Sequence, residues 1–324
     1  MKLKFLLPLI LALTICSVIS LTLGSAAIAH PWRQIFHPFD FNSADHQIIW
    51  SIRAPRIAAA LLVGALLGIA GTVAQASINN PLADPSIIGT TAGASLGVLI
   101  AVLLNFLTIG SVLAVGVATV GAFLATLLTY LLAKSASQLV IVGIGISAIF
   151  TSIVGLTISM ISRPDARSIS FWSLGSLALV TNSQILLLVA ILIIVATAAL
   201  LLAKNLDLLS LGDATVRHLG INSQRIRLRA FVVLSVAVAA SVSTVGTISF
   251  LALAAPHIAR FVVGPKNKAV IVTSALLGAL ILLIADTAAR TIAPPHELPI
   301  GLLTSLIGAP ILITALKRGA QVWR

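Results

Sequence analysis

Arg53 and Arg56 stand three residues apart at the head of one apolar run, and Arg290 closes another. A cation at a helix start opposes the helix dipole by about 0.3–1 kcal/mol. Arg53 and Arg56 are therefore expected either to snorkel toward an interface or to meet an anionic partner. Arg290 has a nearer use, because Asp286 lies one helical turn before it. Asp84-Pro85, following Asn80-Pro81, reads as helix-start chemistry: a capping carboxylate, then a proline at the first helical position. Capping is the role expected there, with a gate as the alternative. Leu211-Gly212-Asp213 opens a short helix with its acid at the favourable end, and His218-Leu219-Gly220 closes it with a left-handed glycine. Asn222 would then cap a second short helix carrying Arg225, Arg227 and Arg229. Two short helices joined by a glycine make a rigid knob; the alternative is a basic loop that only fixes topology.

Missing chemistry narrows the choice further. No lysine follows a glycine anywhere, so the chain holds no phosphate loop and cannot hydrolyse ATP alone. It lacks a metalloprotease helix, a cysteine cluster and a Ser/His/Asp arrangement, so no catalytic residue, metal site or directly bound cofactor is expected. His257 beside Pro256 has no companion ligands and is expected to be a packed histidine. Cys16 is the only cysteine, which excludes an internal disulfide. No apolar run carries an ionisable residue near its middle, which disfavours an ion-coupled secondary carrier, although backbone carbonyls can also hold Na⁺. Energy for active transport would have to come from a partner.

The elements that position these residues follow from composition. Hydrophobic residues make up 59% of the 324 residues and charged ones 9%, against about 25% charged in soluble domains; mean hydropathy is +1.15. Unpaired backbone amides are too costly in hydrocarbon, so recurrent membrane-length runs must be helices. The expectation is an all-α polytopic membrane protein, a single transmembrane domain over residues 1–324, with about ten transmembrane helices. These lie near 5–24, 55–78, 87–107, 111–133, 138–161, 184–203, 230–249, 253–264, 269–287 and 299–316. Met1–Lys4 and Ala27-Ile28-Ala29 imitate a cleavable signal, but the run between them is long enough to be an uncleaved first span. With both termini cytoplasmic, fourteen of the 20 basic residues lie inside, and Arg33, Arg53, Arg56, Arg163, Arg167 and Arg290 lie outside. That distribution follows the positive-inside rule and accounts for the +12 charge without nucleic acid as a partner. The longest cytoplasmic loop spans 204–229. Ser168–Val180 is too short to cross and is expected to form an external interfacial helix, with Phe171 and Trp172 at headgroup level. Ala60, Gly64 and Gly68, Gly93 and Gly97, and Gly143 and Ser147 recur at four-residue spacing, which lets helix backbones approach.

Several segments in order resemble one family. They are R-A-P-R (53–56), N-P-L-A-D-P-S-I-I-G (80–89), L-S-L-G-D-A (209–214) with H-L-G-I-N (218–222), A-P-H-I-A-R (255–260), A-D-T-A-A-R (285–290) and E-L-P-I-G-L-L-T-S-L-I-G-A-P (297–310). The chain thereby resembles the FecCD family of importer permeases, which includes the vitamin B12 and iron-siderophore permeases, over about residues 50 to 318. Departures are few: Ala54 where leucine is commoner, and a short Trp323–Arg324 extension. The tail with Pro294, Pro295 and Glu297 is most similar to the ferric-citrate branch.

The resemblance implies a vitamin B12 permease-like fold, with spans two to five and seven to ten as inverted repeats. It implies an ATP-binding-cassette importer subunit in the bacterial inner membrane that carries iron(III)-siderophore-type chelates by alternating access. Haem or cobalamin are the alternative cargoes. The implied partners are a cytoplasmic ATPase, a periplasmic or lipid-anchored binding protein, a second permease subunit (the same chain or a paralogue) and the lipid bilayer. By the same resemblance, Arg53, Arg56 and Arg290 meet glutamates of the binding protein, and the stretch from Asp213 to Gly220 docks into the ATPase. A scaffold without transport would instead tolerate replacement of the knob residues.

Overall fold

The computed structural model describes residues 3–26, 28, 31–36, 43–103, 111–133, 136–160, 169–170, 172–178 and 180–319. Every regular element among them is helical. The main helices are α1 (Leu3–Thr22), α2 (Ala54–Ile78), α3 (Thr90–Leu103), α4 (Val112–Leu132), α5 (Ala136–Met160), α6 (Asn182–Leu209), α7 (Asp213–His218), α8 (Ser223–Val245), α9 (Leu251–Val263), α10 (Asn267–Ala289) and α11 (Ile300–Gly319). Six stretches are long and apolar enough to cross a membrane: Ala44–Ile78, Val112–Leu132, Gln138–Met160, Asn182–Leu209, Ser223–Val245 and Asn267–Ala289. α1 and α11, of 20 residues each, coincide with the first and tenth expected spans, whereas α3 and α9 are apolar but shorter, at 14 and 13 residues. The third span, expected over 87–107, is described only as Thr90–Leu103, and 104–110 lie outside the described residues.

α2 is the hub. Its most apolar window is 83% buried, against 22% for α5 and 28% for α6, and it packs on α10, α8, α6 and α9. Small residues make this approach possible, as their spacing suggests. An ideal Cβ on Gly64 would stand 2.7 Å from Ala279 Cα and closer still to the Gly278 carbonyl. Gly68 faces the Ser274 carbonyl in the same seam. Gly93 of α3 meets Gly121 of α4, Gly97 lies over Val117–Ala118, and Gly143 of α5 rests on the Ile87–Ile88 backbone.

Several expectations change in the folded chain. The second span begins earlier: Ser43 caps Ala44–Gln47, and a π-type turn over Ile48–Arg53 runs straight into α2. Pro55 has no N–H to give and crowds the carbonyl four residues back, so the chain widens there and the Ala54 N–H reaches Ile49 O. Arg53 is thus inside a continuous helical run, and the dipole penalty argued for a helix start does not apply to it. Asp84-Pro85 does not open α3. Asp84 Oδ1 accepts the Ser86 N–H at 2.7 Å, closing an Asx-type turn, and the helix begins only at Thr90. The connection between α6 and α8 is 210–222, narrower than 204–229, because α6 runs on to Leu209. The expected second short helix is the first part of the 23-residue α8.

In the stretch expected as an interfacial helix over Ser168–Val180, the described residues are helical only at 169–170 and 172–173, and they pack inward. Trp172 is buried, the Ser176 N–H donates to Val245 O at 2.8 Å, and the Ile300 N–H donates to Gly175 O at 3.1 Å. The segment is therefore folded between the ends of α8 and α11, where helix termini satisfy its backbone. Phe171 lies outside the described residues, as do Lys2, Ala27, Ala29, Lys134, Arg163, Arg167 and Trp323–Arg324.

Candidate functional sites at the two ends of the hub helix

Arg56 and Ser77 lie 21 residues apart on α2, roughly 30 Å by helix rise. Polar groups gather around both. Arg56 is 5% exposed. Its Nε donates to Asp286 Oδ1 at 2.7 Å, and its Nη1 donates to Glu297 Oε1 and Oε2 at 2.8 and 2.9 Å. Arg290 Nε lies 3.4 Å from Asp286 Oδ2, an ion pair without hydrogen-bond alignment. Arg290 also donates to Leu23 O at 2.9 Å and Ser20 O at 2.7 Å, and bonds the Ser20 hydroxyl. Arg53 donates to Leu21 O, Thr22 O and Ala26 O at 2.8, 2.9 and 2.6 Å. The last carbonyls of a helix lack intrahelical partners and favour cations. Two arginines from other segments supply them here and clamp the end of α1.

The structure therefore brings Arg53, Arg56 and Arg290 together, but around acceptors of their own chain, and each is no more than 5% exposed. Glu297, with 29% of its side chain exposed, is the part of this cluster that opens outward. Residue types alone do not reveal the Arg56–Glu297 pair, because the partners lie 241 positions apart.

At the other end, α7 is built as its residues dictate. Gly212 and Gly220 adopt φ +87° and +74°, conformations that cost a side chain strain but glycine little. The Gly220 N–H reaches Arg217 O at 2.9 Å and the Ile221 N–H reaches Val216 O at 3.2 Å, closing the helix in Schellman fashion. Asn222 Oδ1 accepts the Arg225 N–H at 3.0 Å and caps α8. Val216 is fully buried and anchors the knob, while Leu211, His218 and Leu219 face outward. Asp213 Oδ1 pairs with Arg227 Nη2 at 2.9 Å. Burial works to raise the Asp213 pKa, but the hydrogen bond and charge of Arg227 outweigh it and hold the carboxyl below its ordinary range.

Further polar links surround the knob, and sequence reasoning missed them. Arg227 Nε donates to Ser77 O at 3.0 Å. Asp207 Oδ1 accepts from the Asn267 backbone N–H and Nδ2 at 2.8 and 2.9 Å, capping α10. Arg260 bonds Gln75, whose amide donates to Leu253 O at 3.3 Å. Asn80 Oδ1 accepts from the Leu82 N–H at 2.9 Å, so Asn80-Pro81 and Asp84-Pro85 form two successive turns after α2. His257 packs edge-on against Phe261 at 5.1 Å between ring centres. No group of three His, Cys, Asp or Glu side chains suited to a metal occurs among the described residues.

An apolar helical bundle that gathers buried polar groups at the two ends of its hub and carries a short helical knob between two membrane-length helices has the architecture of a polytopic membrane protein. Residues 11–318 match the FecCD transport family, and the chain belongs to it. It is 33% identical over 321 residues to the hemin transport system permease protein HmuU of Yersinia pestis, covering 96% of each chain. It is 35% identical over 321 residues to the Fe(3+) dicitrate transport system permease protein FecD of Escherichia coli (strain K12), covering 98% of this chain and 99% of that one. A solved structure described as an inward-facing metal-chelate type ABC transporter superposes with a TM-score of 0.83 at 31% identity, covering 97% of this chain and 99% of that one.

Proposed function

We propose that this chain is the permease subunit of an ABC importer in the bacterial inner membrane, moving an iron(III)-siderophore-type chelate into the cytoplasm by alternating access. The observation that carries the reading is the knob. It is a short helix opened by Gly212 and closed by the Gly220 turn, pinned by an ion pair and presenting Leu211, His218 and Leu219 outward. The chain has no phosphate loop of its own. A rigid knob passes on motion delivered by an ATPase, whereas a floppy loop would absorb it. Leu211, Gly212, Asp213, His218, Leu219, Gly220 and Asn222 form the ATPase-facing element, on the cytoplasmic side with both termini. The turns at Asn80-Pro81 and Asp84-Pro85 lie at the same end and border the exit. The rim formed by Arg53, Arg56, Arg290 and Glu297 is the docking face for an external binding protein. Direct contact of its arginines with partner carboxylates would require exchange of the internal acceptors. The thinly buried faces of α5 and α6 leave surface for lipid and for a second permease subunit.

The test is uptake of a radioactive ferric chelate into proteoliposomes holding the permease with its ATPase and loaded binding protein. Uptake that requires ATP and stops with vanadate is the expected result. Uptake driven by an ion gradient without the ATPase overturns the reading, and competition by haem or cobalamin decides among cargoes.

A further inference from the structure

We infer that Arg227 is the positioning residue through which the knob moves α2. The inference rests on the reading above that the knob receives the ATPase stroke, and it names the route by which that stroke enters the bundle.

One guanidinium holds two elements that are remote in the chain. Arg227 Nη2 is 2.9 Å from Asp213 Oδ1 on the knob, and Nε donates at 3.0 Å to Ser77 O, 150 residues away in the last turn of α2. Ser77 O is one of the end carbonyls that a helix leaves without an intrahelical partner, and a cation is favourable there. The Arg227 side chain is 12% exposed, whereas its Asp213 partner is 46% exposed, so the knob half of the bridge faces water and the Ser77 half is the more enclosed. Neighbouring cations end elsewhere: Arg217 Nε turns to Asp213 O at 3.3 Å, and Arg225 and Arg229 are exposed.

The bridge also crosses open space. Cavities of about 480 and 490 Å³ flank the pair, and Tyr130, Asp213 and Arg227 line both. Close packing does not fill the gap between knob and α4 there, so the polar bridge is a rigid tie across it. Beyond Ser77 the path stays stiff. α2 and α10 meet backbone to backbone at Gly64 and Gly278, which resists slippage. Past Asn79 the chain enters the 80–89 turns, where Ser147 Oγ donates to Ser86 O at 2.8 Å and Gly143 bears on Ile87. Displacement of Ser77 would therefore reach the hub, its α10 partner and the turns beside α5 together.

A residue that merely stabilises the fold would lower assembly and yield, whereas a transmission residue changes how much cargo each hydrolysis moves. The test uses the full complex of permease, ATPase and loaded binding protein in proteoliposomes, comparing Arg227→Gln, Arg227→Lys and the exchange Asp213→Arg with Arg227→Asp. The exchange restores an ion pair on the knob, but an aspartate at 227 cannot donate to Ser77 O. We expect assembly and the KM for loaded binding protein to hold in Arg227→Gln, while cargo moved per ATP falls about tenfold or more in that variant and in the exchange. A wild-type ratio in the exchange overturns the inference, since it would mean that anchoring the knob suffices. If Arg227→Gln loses its ATPase, the exchange is read instead, with Arg227→Lys, which keeps a charged donor, expected between it and wild type; a wild-type ratio in the exchange overturns the inference equally. Failure of the proposed function looks different: the wild-type complex itself would move no cargo on addition of ATP.

Discussion

Arg56 Nε and Asp286 Oδ1 lie 2.7 Å apart although their residues are 230 positions apart, and both side chains are almost fully buried. Removing one partner strands a charge in low dielectric, which costs about 3–5 kcal/mol. Asp286→Ala should lower stability by up to about 3–5 kcal/mol, less where Glu297 continues to pair Arg56, seen as an earlier thermal transition of the detergent-solubilised protein. Joint replacement, Arg56→Met with Asp286→Leu, should cost less. Glu297 can then turn to water, and Arg290 keeps its α1 carbonyls. An Asp286→Ala protein as stable as wild type would show the pair to be energetically idle.

The glycine seams give a sharper contrast. Gly64→Ala would place a methyl 2.7 Å from Ala279 Cα, inside van der Waals contact, with backbone as the obstacle. α2 and α10 must then separate, and a loss of about 1–3 kcal/mol follows from overpacking. Gly116 and Gly145 sit in α4 and α5 with open space where a Cβ would stand. Alanine there should be neutral or stabilising by up to about 1 kcal/mol through helix propensity alone. Thermal stability of the four single variants, including Gly278→Ala, measures the difference. Equal effects at Gly64 and Gly116 would refute the seam.

What the sequence makes legible here is local. Four-residue spacing of small residues announces the α2, α3 and α5 contacts, and the order Gly212-Asp213 to Gly220, then Asn222, announces a short helical knob. The misplaced start of α3 has a physical cause: an Asx turn and a helix N-cap use the same Asp-Pro chemistry, and only the tertiary chain decides which forms. Arg53 departs from the expected helix start because a π-type turn before Pro55 keeps the helix going where proline normally begins one. The ties Arg56–Glu297, Arg227–Ser77 and Asp207–Asn267 join distant segments, and two of them involve backbone groups that every residue carries. No spacing or residue type marks them in advance.

Arg53 and Arg290 supply donors to the last turn of α1 and the residues just after it. Arg53→Gln would remove charge-assisted bonds to Leu21, Thr22 and Ala26 while leaving those from Arg290 to Ser20 and Leu23 in place. Hydrogen exchange over residues 20–26 should accelerate at least about tenfold, as local opening becomes easier by some 1.5 kcal/mol or more. Exchange in the middle of α2 should not change, because Gly64, Gly68 and their α10 partners are untouched. Protection at 20–26 equal to wild type would mean that α1 is held by apolar contact alone.

Asp207 reaches from the end of α6 to the first residue of α10, and its Oδ1 accepts both the Asn267 backbone N–H and the Asn267 side-chain amide. A carboxylate at a helix N-terminus satisfies an orphan donor and favours the dipole. Asp207→Ala should therefore cost about 0.5–2 kcal/mol, in the range of a lost N-cap. Asp207→Asn keeps an acceptor but loses the charge, so it should fall between alanine and wild type. The loss should concentrate where α6 meets α10 and appear as faster exchange of the first amides of α10, from Asn267 to Val270. If Asp207→Asn matched alanine while Asn267→Ala was silent, the carboxylate would be acting through its charge and not through this cap.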